Sequence, residues 1–159
     1  MKLYFLRHGI AVAREEWTGD EASRPLTDKG RRRLEDVGEF LAGRKLGVER
    51  VLTSPLVRCT QTAEVVAQRM KAMDRVVVDE RLAPGFGPGM LARLLRSHAE
   101  TGALMLVGHE PDLSLTIGHV IGGGRVVCDK GGVACVHLPN PREMEGELEW
   151  LIAPGLLHD

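Results

Sequence analysis

The chain has 159 residues, 43% of them hydrophobic, which suffices for one domain with a buried core and is too short for two of ordinary size. Its formal net charge of −1 gives no overall attraction to nucleic acid or to a membrane surface. No apolar run approaches membrane-spanning length, and the three cysteines lack CxxC spacing. We therefore expect residues 1–159 to form a single cytoplasmic domain without a disulfide, a nucleic-acid partner or a membrane partner.

Short apolar runs alternate with stretches of helical periodicity along the whole chain. The runs predict strands over residues 3–6, 50–54, 75–79 and 103–108, then two more over 131–140 and 146–153, joined by a turn at Asn140. Helices are predicted after the N-cap Thr27, over residues 90–98 and from Glu110 onward. Another is predicted to begin at Ser54-Pro55, with Ser54 as its N-cap and Pro55 at the first helical position. The pattern predicts an α/β fold, with a mostly parallel central sheet between helices and a C-terminal antiparallel hairpin.

Three of the predicted strands end in polar residues that are suited to hold an anion. The first strand runs into Arg7-His8-Gly9, the second is followed by Arg58, and the fourth is followed by His109. Because the carboxyl ends of parallel strands lie along one edge of a sheet, we expect these side chains to meet there. The planar fork of arginine matches two phosphate oxygens, so the sequence predicts a phosphate site.

Two histidines in a phosphate site also suggest chemistry. A neutral imidazole nitrogen can attack phosphorus and hold the phosphoryl group, while neighbouring cations stabilise the charge on the equatorial oxygens. Positive neighbours should keep the attacking imidazole neutral. Gly9 lacks a Cβ, which would allow the backbone to approach the bound group.

Four motifs occur in order along the chain: RHG, RPLTDKG, SPLVRCTQTA and VGHEP. Together they resemble the histidine phosphatase superfamily, and within it the small SixA-type phosphohistidine phosphatases. The resemblance implies a phosphoglycerate mutase-like, three-layer α/β/α sandwich and a reaction without metal or other cofactor. It implies that His8 is the nucleophile, with Arg7, Arg58 and His109 completing the phosphate pocket. Gly9 and Ser54 are expected to support substrate binding.

The resemblance also suggests a general acid. Many members of the superfamily take a carboxylate from the segment after the third strand, where this chain has Glu80. Asp20 is an alternative. A histidine nitrogen leaves phosphorus more readily than an alkoxide does, so neither acid is required if the substrate is a phosphohistidine. SixA-type relatives imply such a substrate, carried by a signalling or phosphotransfer protein.

Two other functions stay open from the sequence. One is hydrolysis of a small phosphomonoester such as a sugar phosphate or nucleotide, and the other is binding of phosphoproteins without turnover. A cysteine phosphatase is excluded because no arginine stands six positions after any cysteine, and no P-loop sequence is present. The remaining histidines have no matching context and are expected to be structural or exposed: His98, His119, His137 and His158.

Overall fold

The computed structural model describes residues 1–157, so His158 lies outside the described part of the chain. Every predicted strand and helix is present, and the elements follow one another in this order: β1 (Lys2–Arg7), α1 (Asp28–Ala42), β2 (Arg50–Thr53), α2 (Val57–Arg69), β3 (Val76–Val78), α3 (Pro88–Ser97), β4 (Ala103–Gly108), α4 (Asp112–Val120), β5 (Val133–Asn140) and β6 (Glu145–Ile152). Within residues 1–157, four single 3-10 turns lie in the connections or after β6: Glu21–Ser23, Met73–Arg75, Glu80–Leu82 and Pro154–Leu156.

The six strands form one sheet in the order β3-β2-β4-β1-β5-β6. The first four of these run parallel, whereas β5 pairs antiparallel with both β1 and β6. The predicted mixed sheet with a C-terminal hairpin is therefore confirmed. Because β2, β4 and β1 are neighbours, their carboxyl ends meet at one edge, where Arg7 pairs with Gly108 and Thr53 pairs with Val107.

Helices cover both faces of the sheet, which confirms the three-layer sandwich. The continuous apolar runs of β1 and β4 follow from this, since alternate residues must enter two separate cores. On one face, Leu6 and Met105 pack with α1 and α2. On the other face, Phe5 and Leu104 pack with α3 and α4. All six residues of β4 are buried, as expected for a central strand.

The start of α1 follows the sequence prediction, whereas the starts of α2 and α3 differ from it. Thr27 is the N-cap of α1 and its hydroxyl accepts a hydrogen bond from the Gly30 N–H at 2.9 Å, as predicted. The prediction that Ser54 caps α2 is wrong, because the N-cap position is Leu56 and no side chain caps this helix. The Ser54 hydroxyl has a different partner, which belongs to the cavity described below. Helix α3 begins at Pro88, two residues before the predicted start.

Gly30, in the first turn of α1, has less space for a side chain than any other glycine of residues 1–157. A Cβ on this residue would lie 2.2 Å from the carbonyl oxygen of Ile10, which accepts the Thr27 N–H at 2.9 Å. We expect Gly30→Ala to lower the free energy of unfolding by about 1–3 kcal/mol, because backbone must shift to make room. Gly43→Ala is the matched control, since its Cβ would meet nothing closer than 3.6 Å. Equal effects of the two substitutions on chemical unfolding would contradict the assignment of close packing at Gly30.

Candidate active site

A cavity of about 420 Å³ opens at the carboxyl edge of β1, β2 and β4. The structure brings together four residues that the sequence singled out, because Arg7, His8, Arg58 and His109 all line this cavity. Its other lining residues were not singled out as site residues: Ala11, Ala13, Arg14, Arg24, Pro84, Glu110 and Lys130.

The His8 ring is held in one tautomer. Its Nδ1 lies 2.8 Å from the Gly9 carbonyl oxygen. Because a carbonyl can only accept a hydrogen bond, Nδ1 carries the proton and Nε2 keeps a free lone pair. Burial, followed by the charges of Arg58, His109 and Arg7, lowers the pKa of His8 from its ordinary 6.5 to about 3. A neutral, oriented imidazole of this kind is suited to nucleophilic attack.

His109 faces His8, with 5.6 Å between the two ring centroids. Its Nε2 lies 2.8 Å from the Ser54 hydroxyl and 3.5 Å from the Cys59 sulfur. Burial, followed by the charge of Arg58, lowers the pKa of His109 to about 4. Ser54 is completely buried and does not line the cavity. The structure therefore shows Ser54 as a support for His109, whereas the sequence suggested a substrate contact.

The two central arginines are anchored by backbone carbonyls. The Nη1 of Arg7 donates to the Cys128 carbonyl at 2.9 Å, and that of Arg58 donates to the Glu21 carbonyl at 3.1 Å. The Nε atoms of both arginines are buried and have no hydrogen-bond partner within residues 1–157. Buried guanidinium nitrogens normally have acceptors, so this pair fits an anion such as phosphate.

Glu21 joins the arginines of the cavity and was missed by the sequence reasoning. Its carboxylate lies 2.9 Å from Arg24 Nη2 and 3.3 Å from Arg58 Nη2. The hydrogen bond from Arg24 is the main reason that the pKa of Glu21 is lowered. Arg24 itself stands in the RPLTDKG motif, and its Nη1 donates to the Val12 carbonyl at 2.8 Å. The carboxylate thus offsets the repulsion between two neighbouring guanidinium groups.

Gly9 is required for packing rather than for approach to a ligand. A Cβ on Gly9 would lie 2.7 Å from Leu34 Cδ1, and the residue does not line the cavity. The Gly9 N–H donates to the Thr62 hydroxyl at 3.0 Å, and this hydroxyl donates to the Arg58 carbonyl at 2.7 Å. The buried Thr62 therefore connects the end of β1, which carries His8, to the first turn of α2, which carries Arg58.

The structure does not bring either suggested general acid to the cavity. Glu80 is exposed on the 3-10 turn after β3, and the residue of this segment that lines the cavity is Pro84. Asp20 is also exposed and accepts a hydrogen bond from the Ser23 N–H at 3.0 Å. Both positions depend on loop conformation, which residue order alone does not define. The carboxylate that does line the cavity belongs to Glu110, in the VGHEP motif.

Comparison with known proteins identifies the family of this chain. The family model of the histidine phosphatase superfamily (branch 1) matches residues 3–86, more than half of the chain. The chain belongs to this superfamily. The resemblance seen in the sequence is thereby confirmed, and with it a phosphatase of the hydrolase class.

Individual known proteins are similar over most of the chain. An uncharacterized protein of Picosynechococcus sp. (strain PCC 7002) is 45% identical over 71% of this chain and 68% of its own. Phosphohistidine phosphatase SixA of Escherichia coli (strain K12) is 28% identical over 70% of this chain and 68% of its own. The solved structure of a protein histidine phosphatase SixA complexed with tungstate shares the fold, with a TM-score of 0.89, 24% identity and coverage of 99% and 100% of the two chains.

Among residues 1–157, no set of three or more His, Cys, Asp or Glu side chains is grouped to hold a metal ion. In the same part of the chain, no helix combines the length and the apolar character needed to cross a membrane.

The lowered pKa values give a first prediction for the cavity. We expect the His8 and His109 rings to stay neutral as the pH falls to about 5, since their pKa values are about 3 and about 4. NMR titration of the ring nitrogens measures this, with His8→Gln and His109→Gln variants assigning the signals. Protonation of either ring around its ordinary 6.5 would contradict the structure.

The lowered pKa values of His8 and His109 also make the free energy of unfolding depend on pH. The unfolded chain binds protons at these histidines more readily than the folded chain does, so the free energy of unfolding decreases as the pH falls below 6.5 toward these lower values.

The bond between Ser54 and His109 gives a second prediction for the cavity. We expect Ser54→Ala to lower kcat on an aryl phosphate by roughly ten- to a hundredfold and to change KM less, because a misplaced ring acts mainly on the transition state. Ser97→Ala is the matched control, since that exposed hydroxyl bonds Arg81 at the far end of α3. Wild-type kcat in folded Ser54→Ala would show that the hydroxyl does not position His109.

Proposed function

We propose that the chain is a metal-independent phosphohistidine phosphatase that acts on phosphorylated signalling or phosphotransfer proteins through a covalent phosphohistidine on His8. The observation that carries the proposal is the His8 ring. It lines the cavity, its Nδ1 is bound to the Gly9 carbonyl at 2.8 Å, and burial together with the charges around it keeps it neutral. A module that only binds phosphate would gain nothing from a neutral nucleophile among its cations.

The first half of the reaction transfers the phosphoryl group to the enzyme. Arg7 and Arg58 bind phosphoryl oxygens, and the lone pair of His8 Nε2 forms a bond to phosphorus. The bond between phosphorus and the substrate nitrogen breaks, and its electron pair stays on that nitrogen. The phosphorylated His8 ring is then cationic, with its Nδ1–H still bound to the Gly9 carbonyl. The flanking arginines stabilise the charge that spreads over the equatorial oxygens.

The second half releases phosphate. Water attacks phosphorus, the bond to His8 Nε2 breaks, and its electron pair returns to Nε2. The ring becomes neutral again, and the water proton leaves with the phosphate product. His109, neutral and held by Ser54, lies beside His8 and can hydrogen-bond an oxygen of the transferring group. No step needs a metal ion.

The composition of the cavity supports a phosphohistidine substrate over an alkyl phosphomonoester. An alkoxide leaving group needs a proton donor. The segment after β3 contributes Pro84 to the cavity lining in place of a carboxylate, and both oxygens of the lining residue Glu110 already accept hydrogen bonds from Ser114. A ring nitrogen leaves without such help. The names of similar proteins, among them SixA of Escherichia coli, point to the same substrate class.

The test is phosphate release from a phosphohistidine-bearing protein and from an aryl phosphate, with a chelator present and no added metal. We expect His8→Ala to lower kcat/KM by about a thousandfold on both, equivalent to about 4 kcal/mol of transition-state stabilisation. His119→Ala, which changes an exposed histidine at the end of α4, is the matched control and should retain activity.

Each outcome of this test is decisive. Preference for the phosphohistidine protein would support the proposed substrate, and preference for phosphomonoesters would favour the alternative. Full activity of His8→Ala would disprove the covalent route. Tight phosphoprotein binding without any release of phosphate would indicate a binding module.

A further inference from the structure

Glu110 is an unexpected residue in a cavity suited to phosphate. Among the residues that line this cavity it is the one carboxylate, beside four arginines, a lysine and two histidines. A negative charge there opposes phosphate binding, because like charges repel strongly where water is partly excluded. The carboxylate therefore suits a ligand that carries a positively charged, hydrogen-bond-donating group next to its phosphoryl group.

The carboxylate is held in place by the first turn of α4. Its Oε1 accepts the Ser114 N–H at 3.1 Å, and its Oε2 accepts the Ser114 hydroxyl. A carboxylate oxygen can accept two hydrogen bonds, so each oxygen retains capacity for a further donor. Glu110 directly follows His109 in the chain, so the carboxylate and the imidazole that faces His8 enter the cavity from the same loop.

Phosphohistidine has a group that matches this carboxylate. Its ring carries a second nitrogen, which when protonated is both a hydrogen-bond donor and part of a cation. Esters of serine, sugars and nucleotides place no cationic donor beside their bridging oxygen, since the neighbouring sugar hydroxyls are neutral. We infer that Glu110 accepts a hydrogen bond from the unphosphorylated ring nitrogen of the substrate and thereby selects phosphohistidine. This inference rests on the proposed function and names how the site recognises its leaving group.

The chemistry of the leaving group explains the benefit. With a proton on its second nitrogen, the substrate ring departs as neutral imidazole when the bond between phosphorus and nitrogen breaks, and its N–H is retained. Without that proton the ring would depart as an imidazolate anion, which is a poor leaving group. A neighbouring carboxylate favours the protonated ring. Glu110 therefore needs to hold a proton on the substrate and does not need to donate one.

A simpler role for Glu110 is to cap α4 through Ser114. The two roles can be separated, because Glu110→Gln removes the charge and keeps an amide oxygen that can accept the Ser114 N–H. Conversely, Ser114→Ala removes the hydroxyl donor to Oε2, whereas the backbone N–H still holds Oε1 and the carboxylate keeps its charge. Glu147→Gln on β6 is the matched control, since it makes the same chemical change at an exposed position outside the cavity lining.

The experiment measures kcat/KM for a phosphohistidine-bearing protein, an aryl phosphate and glycerol phosphate. We expect Glu110→Gln to lower the ratio of the phosphohistidine value to the aryl phosphate value by about tenfold or more, as for loss of a hydrogen bond to a charged group. Glu147→Gln and Ser114→Ala should each leave this ratio within about threefold of the wild-type value.

The outcomes distinguish the inference from the proposed function. Wild-type enzyme that hydrolyses phosphohistidine, with an unchanged ratio in Glu110→Gln, would overturn only the role of Glu110. A larger loss on glycerol phosphate than on phosphohistidine would also overturn it, because that pattern identifies a proton donor for alkoxides. Wild-type enzyme without phosphohistidine turnover would overturn both statements.

Discussion

The hydrogen bond from His8 Nδ1 to the Gly9 carbonyl is the constraint on which the site depends. It places the proton on one nitrogen and leaves the other free to attack. The carbonyl is fixed in turn because Leu34 packs where a Gly9 side chain would lie, and because the Gly9 N–H is held by Thr62. Core packing beneath β1 therefore determines the chemistry at its end. A change in the α1 face of the core would reach the nucleophile without touching the cavity.

The second constraint is electrostatic. Burial of the two histidines, together with the positive charges of the neighbouring arginines, keeps the imidazoles neutral, and the arginines also repel one another. Glu21 holds Arg24 and Arg58 together from the first loop, residues 10–26, and the loop is fixed by an isolated bridge between Ala11 and Leu26. The cations are therefore oriented before substrate arrives. Orientation of this kind lowers the reorganisation needed in the transition state.

The parts of the site that sequence could predict are those that follow strand ends. Arg7, His8 and His109 adjoin strands of a parallel sheet, so topology alone brings them together, and Arg58 follows within one helical turn of the α2 start. Residues that depend on loop path could not be found in this way. Glu80 and Pro84 are four positions apart on one segment, yet only Pro84 lines the cavity. Ser54 matched a helix cap by pattern, but its buried hydroxyl contacts His109, which lies 55 residues later in the chain.

The low basicity of His8 affects the two halves of the proposed reaction in opposite directions. A nitrogen with a pKa of about 3 is a weaker nucleophile than an ordinary imidazole, so attack on the substrate depends on close positioning and on the arginines. The same property makes His8 a better leaving group when water attacks the phosphorylated enzyme. Transfer from one imidazole to another is nearly balanced in energy, so a less basic acceptor shortens the life of the intermediate. A buried, cation-flanked histidine thus favours hydrolysis of the phosphorylated enzyme in the second half of the proposed reaction.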